Sequence, residues 1–154
     1  MYMLSMISSK KVLIASDHAG FALKAALQKL LPAWQWVDLG PADGSRVDYP
    51  DFAEKLGQKI VSGEAPRGIL ICGSGIGMCI AANKIAGIRA ALVENPIAAK
   101  LSREHNDANV LCLGARFLAP EYAAEIAESW LSAPFSQDER HQNRLKKLRA
   151  LERT

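Results

Sequence analysis

Residues 69–84, ILICGSGIGMCIAANK, set a cysteine directly ahead of three alternating glycines. Gly73, Gly75 and Gly77 let the backbone turn sharply and bring its amides close to a ligand with no side chain in the way. Successive amides at the start of a helix favour an anion. The same amides favour negative charge on the Cys72 sulfur, which would make it a nucleophile or a general base. Familiar glycine motifs do not fit. A dinucleotide fingerprint needs glycine where Met78 stands, a Walker loop needs Gly-Lys-Ser/Thr, and a nucleophile elbow around Ser74 needs glycine at Cys72. A tight strand-to-helix turn that holds no ligand is the plain alternative. Cys79 and Cys112 fall inside a helical and a strand segment and read as core packing.

Three further segments carry polar chemistry. His105, in SREHNDAN, is an imidazole that could exchange protons near neutrality, or a helix-terminal histidine that only meets the dipole. Asp17 and His18 could orient a substrate, or Asp17 could simply cap the next helix. Arg116, after a glycine, could pair with an anion or with a carboxylate. Arg140 and Arg144 are four apart and share a helix face, and a guanidinium pair matches phosphate geometry, although a solvated surface helix would look the same. A metal site built from Asp17, His18, Cys72 and His105 has no local ligand spacing behind it, so none is expected.

These residues need elements to place them. Apolar, β-rich runs at 12–16, 36–39, 68–72, 90–94 and 110–113 alternate with helical stretches at 21–31, 49–61, 77–85, 96–103 and 120–131, the pattern of an α/β protein with a parallel sheet. Pro50, Pro96 and Pro120 stand near helix starts, where a missing amide hydrogen costs little. A last helix spans about 138–151, with Leu145, Leu148 and Leu151 along one side. All five strands look covered on both faces. In such sheets ligands bind outside the carboxyl ends of the strands, where Asp17-His18, Cys72–Gly77 and Gly114–Arg116 fall. The placement of His105 depends on the fold.

At 154 residues the chain suits one domain, here 11–154, behind a short extension at 1–10. No apolar run is long enough to cross a membrane, and the opening residues do not read as a signal peptide. Three cysteines without CxxC spacing suit free thiols in a reducing cytoplasm. The formal charge of +3 is confined to 137–154, which holds six basic residues against three acidic ones. Such a tail could meet nucleic acid or a phosphorylated small molecule, but it is short and lacks interleaved aromatics, so nucleic acid is not expected.

IASDHAGFALK, DYPDFA, GILICGSGIGMCIAANKIAGIRAAL, SREHNDANVLCLGAR and ERHQNRL together resemble the B-type ribose-5-phosphate isomerases and their galactose- and allose-6-phosphate relatives. The resemblance runs in order from about Lys11 to Leu151. It implies a Rossmann-like three-layer α/β/α sandwich with five parallel strands, the last two exchanged relative to simple doubly wound order. It also implies an aldose–ketose isomerase that uses no cofactor. Cys72 would move the proton between carbons 2 and 1, with the amides of Gly73–Gly77 and the Ser74 hydroxyl on the enediolate oxygen. His105 would open the sugar ring, while Asp17, Tyr49 and Asn106 bind hydroxyls. His18, Arg116, Arg140 and Arg144 would bind phosphate, the last two from a neighbouring subunit, so that a homodimer or a dimer of dimers shares its sites. Some members carry a glutamate base at the position of Met78; here Cys72 is present and Met78 cannot accept a proton. Ribose 5-phosphate is the expected substrate. Other aldose phosphates (allose 6-phosphate, galactose 6-phosphate or a tetrose phosphate) and a non-catalytic sugar-phosphate or nucleotide-binding module are the alternatives.

Overall fold

A computed structural model describes residues 10–152, so the expected extension at 1–10 lies, except for Lys10, outside the described residues. The elements alternate as expected: β1 (Lys11–Ser16), α1 (Phe21–Leu30), β2 (Gln35–Asp38), α2 (Tyr49–Val61), β3 (Arg67–Cys72), α3 (Ile76–Ala82), β4 (Ala90–Leu92), α4 (Pro96–Asn106), β5 (Val110–Gly114), α5 (Pro120–Ser132) and α6 (Glu139–Ala150). The five strands are all parallel in the order β2-β1-β3-β5-β4, which contains the exchange that the family resemblance implies.

Successive strand residues point to opposite faces, and the core divides accordingly. Ile14, Ile69, Ile71, Leu111 and Leu113 pack on one side with residues of α1, α4 and α5; Leu13, Ala15, Leu70, Cys72 and Cys112 pack on the other with residues of α2 and α3. The expectation of coverage on both faces holds for β1, β3 and β5 but not for β2 and β4. Those two are edge strands with partly exposed residues. Periodicity cannot separate a short edge strand from a central one when both are apolar. α4 runs to Asn106, three residues past its expected end, and closes on Asp107 at φ 45°. Proline lies in the first turn of α2, α4 and α5, and Asn95 caps α4 by accepting from the Ala98 amide at 2.8 Å.

Register explains where the chemistry gathers. Ser16 pairs with Ile71, and Cys72 pairs with Gly114, so β1, β3 and β5 end at one level. The segments that follow them are therefore neighbours. The long loop after β2 is tied to the same end. Lys24, fully buried on α1, donates from Nζ to Asp38 Oδ1 at 2.8 Å and to the Pro41 carbonyl at 2.8 Å; Lys55 donates to the Leu39 carbonyl at 2.8 Å.

Burial opposes ionisation of Asp38, but hydrogen bonds from Lys24, the Gly40 amide and Gln28, with the charge on Lys24, hold its carboxyl below its ordinary value. A depressed carboxyl contributes stability above the unfolded pKa and loses it as pH falls through the folded one. Lys24→Met is expected to cost about 1–3 kcal/mol at pH 7 by removing two part-buried hydrogen bonds of a charged donor. The deficit relative to the parent should shrink as pH falls below about 4, once Asp38 is protonated in both. Urea melts at pH 7 and pH 3 check this; an equal deficit at both would mean that Asp38 is not the partner that matters.

Candidate active site

β3 ends on Cys72, which is 4% exposed. The chain then turns through Gly73–Gly75, with Gly75 at φ 77°, and enters α3 at Ile76. A left-handed φ there suits glycine, and a Cβ would also meet the Leu113 carbonyl carbon at 2.9 Å. The turn points the Gly75 amide back to the thiol, donating to Cys72 Sγ at 3.1 Å. The Ser74 hydroxyl accepts from the Ile76 amide at 3.2 Å.

Neighbouring strand ends complete one side. The buried Asp17 accepts from the Gly20 amide through Oδ1 at 3.0 Å, one residue ahead of α1. The anchoring and substrate-facing readings of Asp17 are thus compatible, because its carboxylate has a second oxygen. The Val47 amide donates to His18 Nδ1 at 3.4 Å, which ties the loop after β2 to the imidazole and leaves Nε2 for the neutral ring's hydrogen. After β5, the Ala115 and Arg116 amides donate to the Cys72 and Gly73 carbonyls, both at 2.9 Å. Arg116 lies so close to Gly73 that a Cβ there would come within 3.0 Å of the guanidinium carbon. Tyr49, at the start of α2, covers Gly77, where a Cβ would meet its ring at 2.6 Å.

These groups line one cleft of about 450 Å³, bounded by Asp17, His18, Tyr49, Cys72, Ser74 and Arg116 with the glycines between them. Of the residues picked from the sequence, the structure brings together all but Gly75, His105, Asn106, Arg140 and Arg144 in this lining. Gly75 sits directly behind it, holding the thiol. His105 and Asn106 are exposed in the last turn of α4; His105 stacks on His141 of α6 with ring centroids 4.4 Å apart. Asn106 borders a separate groove of about 670 Å³ between the ends of α3, α4 and α6. Arg140 pairs with Asp138 at 3.2 Å, and Arg144 lies exposed on α6. Sequence reasoning missed Ile76 and Ile80, whose i, i+4 spacing on α3 was the available signal; both line the cleft and are more than half exposed, at 51% and 57%.

The other thiols behave differently from each other. Cys112 lies in the core as expected, and its hydrogen bond to Cys79, together with burial, pushes its thiol well up. Cys79 is only half-buried. The Cys112 thiol is the main cause that brings it down to about 7, against the opposing effect of burial. Among the described residues no cluster of three histidine, cysteine or acidic side chains has metal-binding geometry, and no helix is long and apolar enough to cross a membrane.

A thiol held by an amide nest, with a carboxylate, a phenol, an imidazole and a guanidinium around it at the carboxyl end of an open parallel sheet, defines an α/β protein suited to a small anionic, hydroxylated ligand. The chain belongs to the Ribose/Galactose Isomerase family, whose model matches residues 12–148. It is 42% identical over 145 residues to ribose-5-phosphate isomerase B of Escherichia coli, an alignment that covers 93% of this chain and 97% of that one. Its fold matches the ribose-5-phosphate isomerase B of Clostridium thermocellum with a TM-score of 0.89 at 44% identity, covering 92% and 97% of the two chains. It also matches the ribose-5-phosphate isomerase B of Mycoplasma genitalium, solved with bound ribulose 5-phosphate, with a TM-score of 0.86 at 42% identity over 92% and 95% of the chains.

Proposed function

We propose that this protein interconverts D-ribose 5-phosphate and D-ribulose 5-phosphate through an enediolate, with Cys72 as the base. The observation that carries this reading is the Gly75 amide 3.1 Å from Cys72 Sγ, in the wall of a cleft lined by Asp17, His18, Tyr49 and Arg116. Membership of the family supplies the class of substrate. A carbon-bound proton beside a carbonyl is too weak an acid to leave unaided at neutral pH, so a base and an anion receptor must act together. Cys72 takes the proton from carbon 2 as negative charge develops on oxygen 1 against the amides of Gly73–Gly77 and the Ser74 hydroxyl. The hydroxyl proton of oxygen 2 passes to oxygen 1, and Cys72 returns its proton to carbon 1, leaving the carbonyl at carbon 2. Each donor aimed at that oxygen contributes a few kcal/mol to the transition state, on the order of 3. Asp17 and Tyr49 hold hydroxyls, and His18 with Arg116 hold the phosphate.

The furanose form must open first. A proton goes to the ring oxygen, the bond between that oxygen and carbon 1 breaks, and the hydroxyl on carbon 1 releases its proton to solvent. His105 is the group assigned to the ring oxygen, but within one chain neither it nor Asn106, Arg140 or Arg144 lines the cleft. We place these four in the cleft of a second copy, so that a symmetric dimer holds two shared sites. Two features support this. In α6 only His141 is buried, while Leu148 and Leu151 stand 45% and 76% exposed. Ile76, Ile80, Ile97 and Phe117, at 51%, 57%, 73% and 64% exposed, are further large apolar side chains left uncovered in one chain. Free thiols fit the cytoplasm as the compartment.

A coupled assay of the purified protein with ribose 5-phosphate, in EDTA, beside allose 6-phosphate and galactose 6-phosphate, tests the proposal. Turnover of the pentose with the largest kcat/KM is the expected result. A hexose phosphate ahead of it would keep the chemistry and change the substrate, and binding with no turnover of any sugar would favour a non-catalytic module.

A further inference from the structure

α6 buries one side chain, and the catalytic reading above does not use it. His141 is 4% exposed, and its ring stacks on His105 with centroids 4.4 Å apart and planes 32° apart. It is held from the other side as well. The Ser136 hydroxyl lies 2.7 Å from His141 Nδ1 and accepts from the Asp138 amide at 3.3 Å, which fixes one edge of the ring. The Ser136 amide donates to the Glu104 carbonyl at 3.1 Å, which ties this segment to the last turn of α4, one residue before His105. His105 itself is exposed at a helix end, where nothing in its own helix fixes the ring plane.

We propose that His141 is the positioning residue of the ring-opening step: braced by Ser136, its imidazole is the plate that fixes the plane and reach of the His105 ring. The charged groups around the stack are Arg140, Arg144 and Asp138 on or beside α6 and Glu104 on α4, whose carboxylate is turned to Lys100 at 3.6 Å. Burial first, then His105, Arg140 and Arg144, hold His141 below its ordinary value against the opposing charge of Asp138, which favours the neutral ring. A neutral plate can lie against a proton-carrying partner without repelling it.

This inference rests on the assignment of His105 to ring opening, and the experiment separates the two. Ribulose 5-phosphate cannot form a five-membered ring, because its carbon-5 oxygen carries the phosphate. Exchange of its carbon-1 hydrogen with D2O therefore needs the Cys72 base but no ring chemistry. In the full-length protein, His141→Ala should lower turnover of ribose 5-phosphate about 10- to 100-fold, the usual scale for a misplaced catalytic group. Its carbon-1 exchange, followed by NMR, should stay within about twofold of the parent on the same argument, since the cleft around Cys72 is untouched. His141→Phe, which keeps a flat ring, should recover most of the loss. If His141→Ala does not fold, His141→Asn, which keeps a polar group toward Ser136, is read in the same two assays. Equal loss in both assays, or loss in neither, overturns the proposal. His105→Asn is the control: with no split between the assays the ring-opening assignment itself fails, whereas a split there but not at His141 overturns only the positioning role.

Discussion

Cys72→Ala is expected to lower turnover of ribose 5-phosphate by at least about 10³-fold, within the range that a positioned general base contributes. The loss should fall on kcat and leave affinity for inorganic phosphate nearly unchanged, because His18 and Arg116 approach from β1 and β5 and not from β3. The fold should survive. Cysteine and alanine differ by one sulfur, and the only partner left without its acceptor is the Gly75 amide, a cost of about 1 kcal/mol. The coupled assay, carbon-1 deuterium exchange and a thermal melt together check this. Turnover within a few-fold of the parent, in a folded variant, would remove Cys72 from the role of base and direct attention to Asp17, the other buried acid–base group in the cleft.

The second large effect is a gain of function on mixing two dead proteins. Arg140→Ala with Arg144→Ala removes two guanidinium groups from the proposed phosphate site. Hydrogen bonds to a charged group are worth about 1.5–3 kcal/mol each, so KM should rise at least about 100-fold. Neither this variant nor Cys72→Ala should turn over a dilute substrate. If each cleft takes its arginines from the partner, a mixed dimer has one site carrying both lesions and one carrying none. Random reassembly of equal amounts should then restore roughly a quarter of the parent activity. Denaturing and refolding the mixture, or producing the two chains together, provides the test. No restoration would place the arginines and Cys72 of each site in one chain, and α6 would need another reason to leave its leucines uncovered.

The elements of this protein were readable because each signal was local. Proline at the starts of α2, α4 and α5 and the short apolar strand runs specify segments by steric and solvation effects within a few residues. The cysteine–glycine turn was readable for the same reason: Cys72, Gly75 and the Ile76 amide are close in sequence, so one loop conformation brings the Gly75 amide to the sulfur. The strand exchange β5-β4 was not readable from periodicity and entered only through family resemblance. Edge and centre were also indistinct, because the apolar letters of β4 match those of β5 although only β5 is buried throughout.

By itself, then, the sequence determined the alternation of strands and helices, the nest at Cys72 and the set of polar residues placed at strand ends. It could not determine distance between segments far apart in the chain. The parallel register decided that Asp17, Cys72 and Arg116 meet, since Ser16, Ile71 and Cys72, and Gly114 are brought level by backbone hydrogen bonds between strands. It also decided that His105 stacks on His141, away from the cleft lining, because α4 leaves the carboxyl end of β4 and runs back to the amino end of β5, carrying its last turn away from the cleft and against α6. Local preference acts over a turn or two of chain, whereas a site drawn from three strand ends and two helix ends exists only once the whole sheet has closed its register.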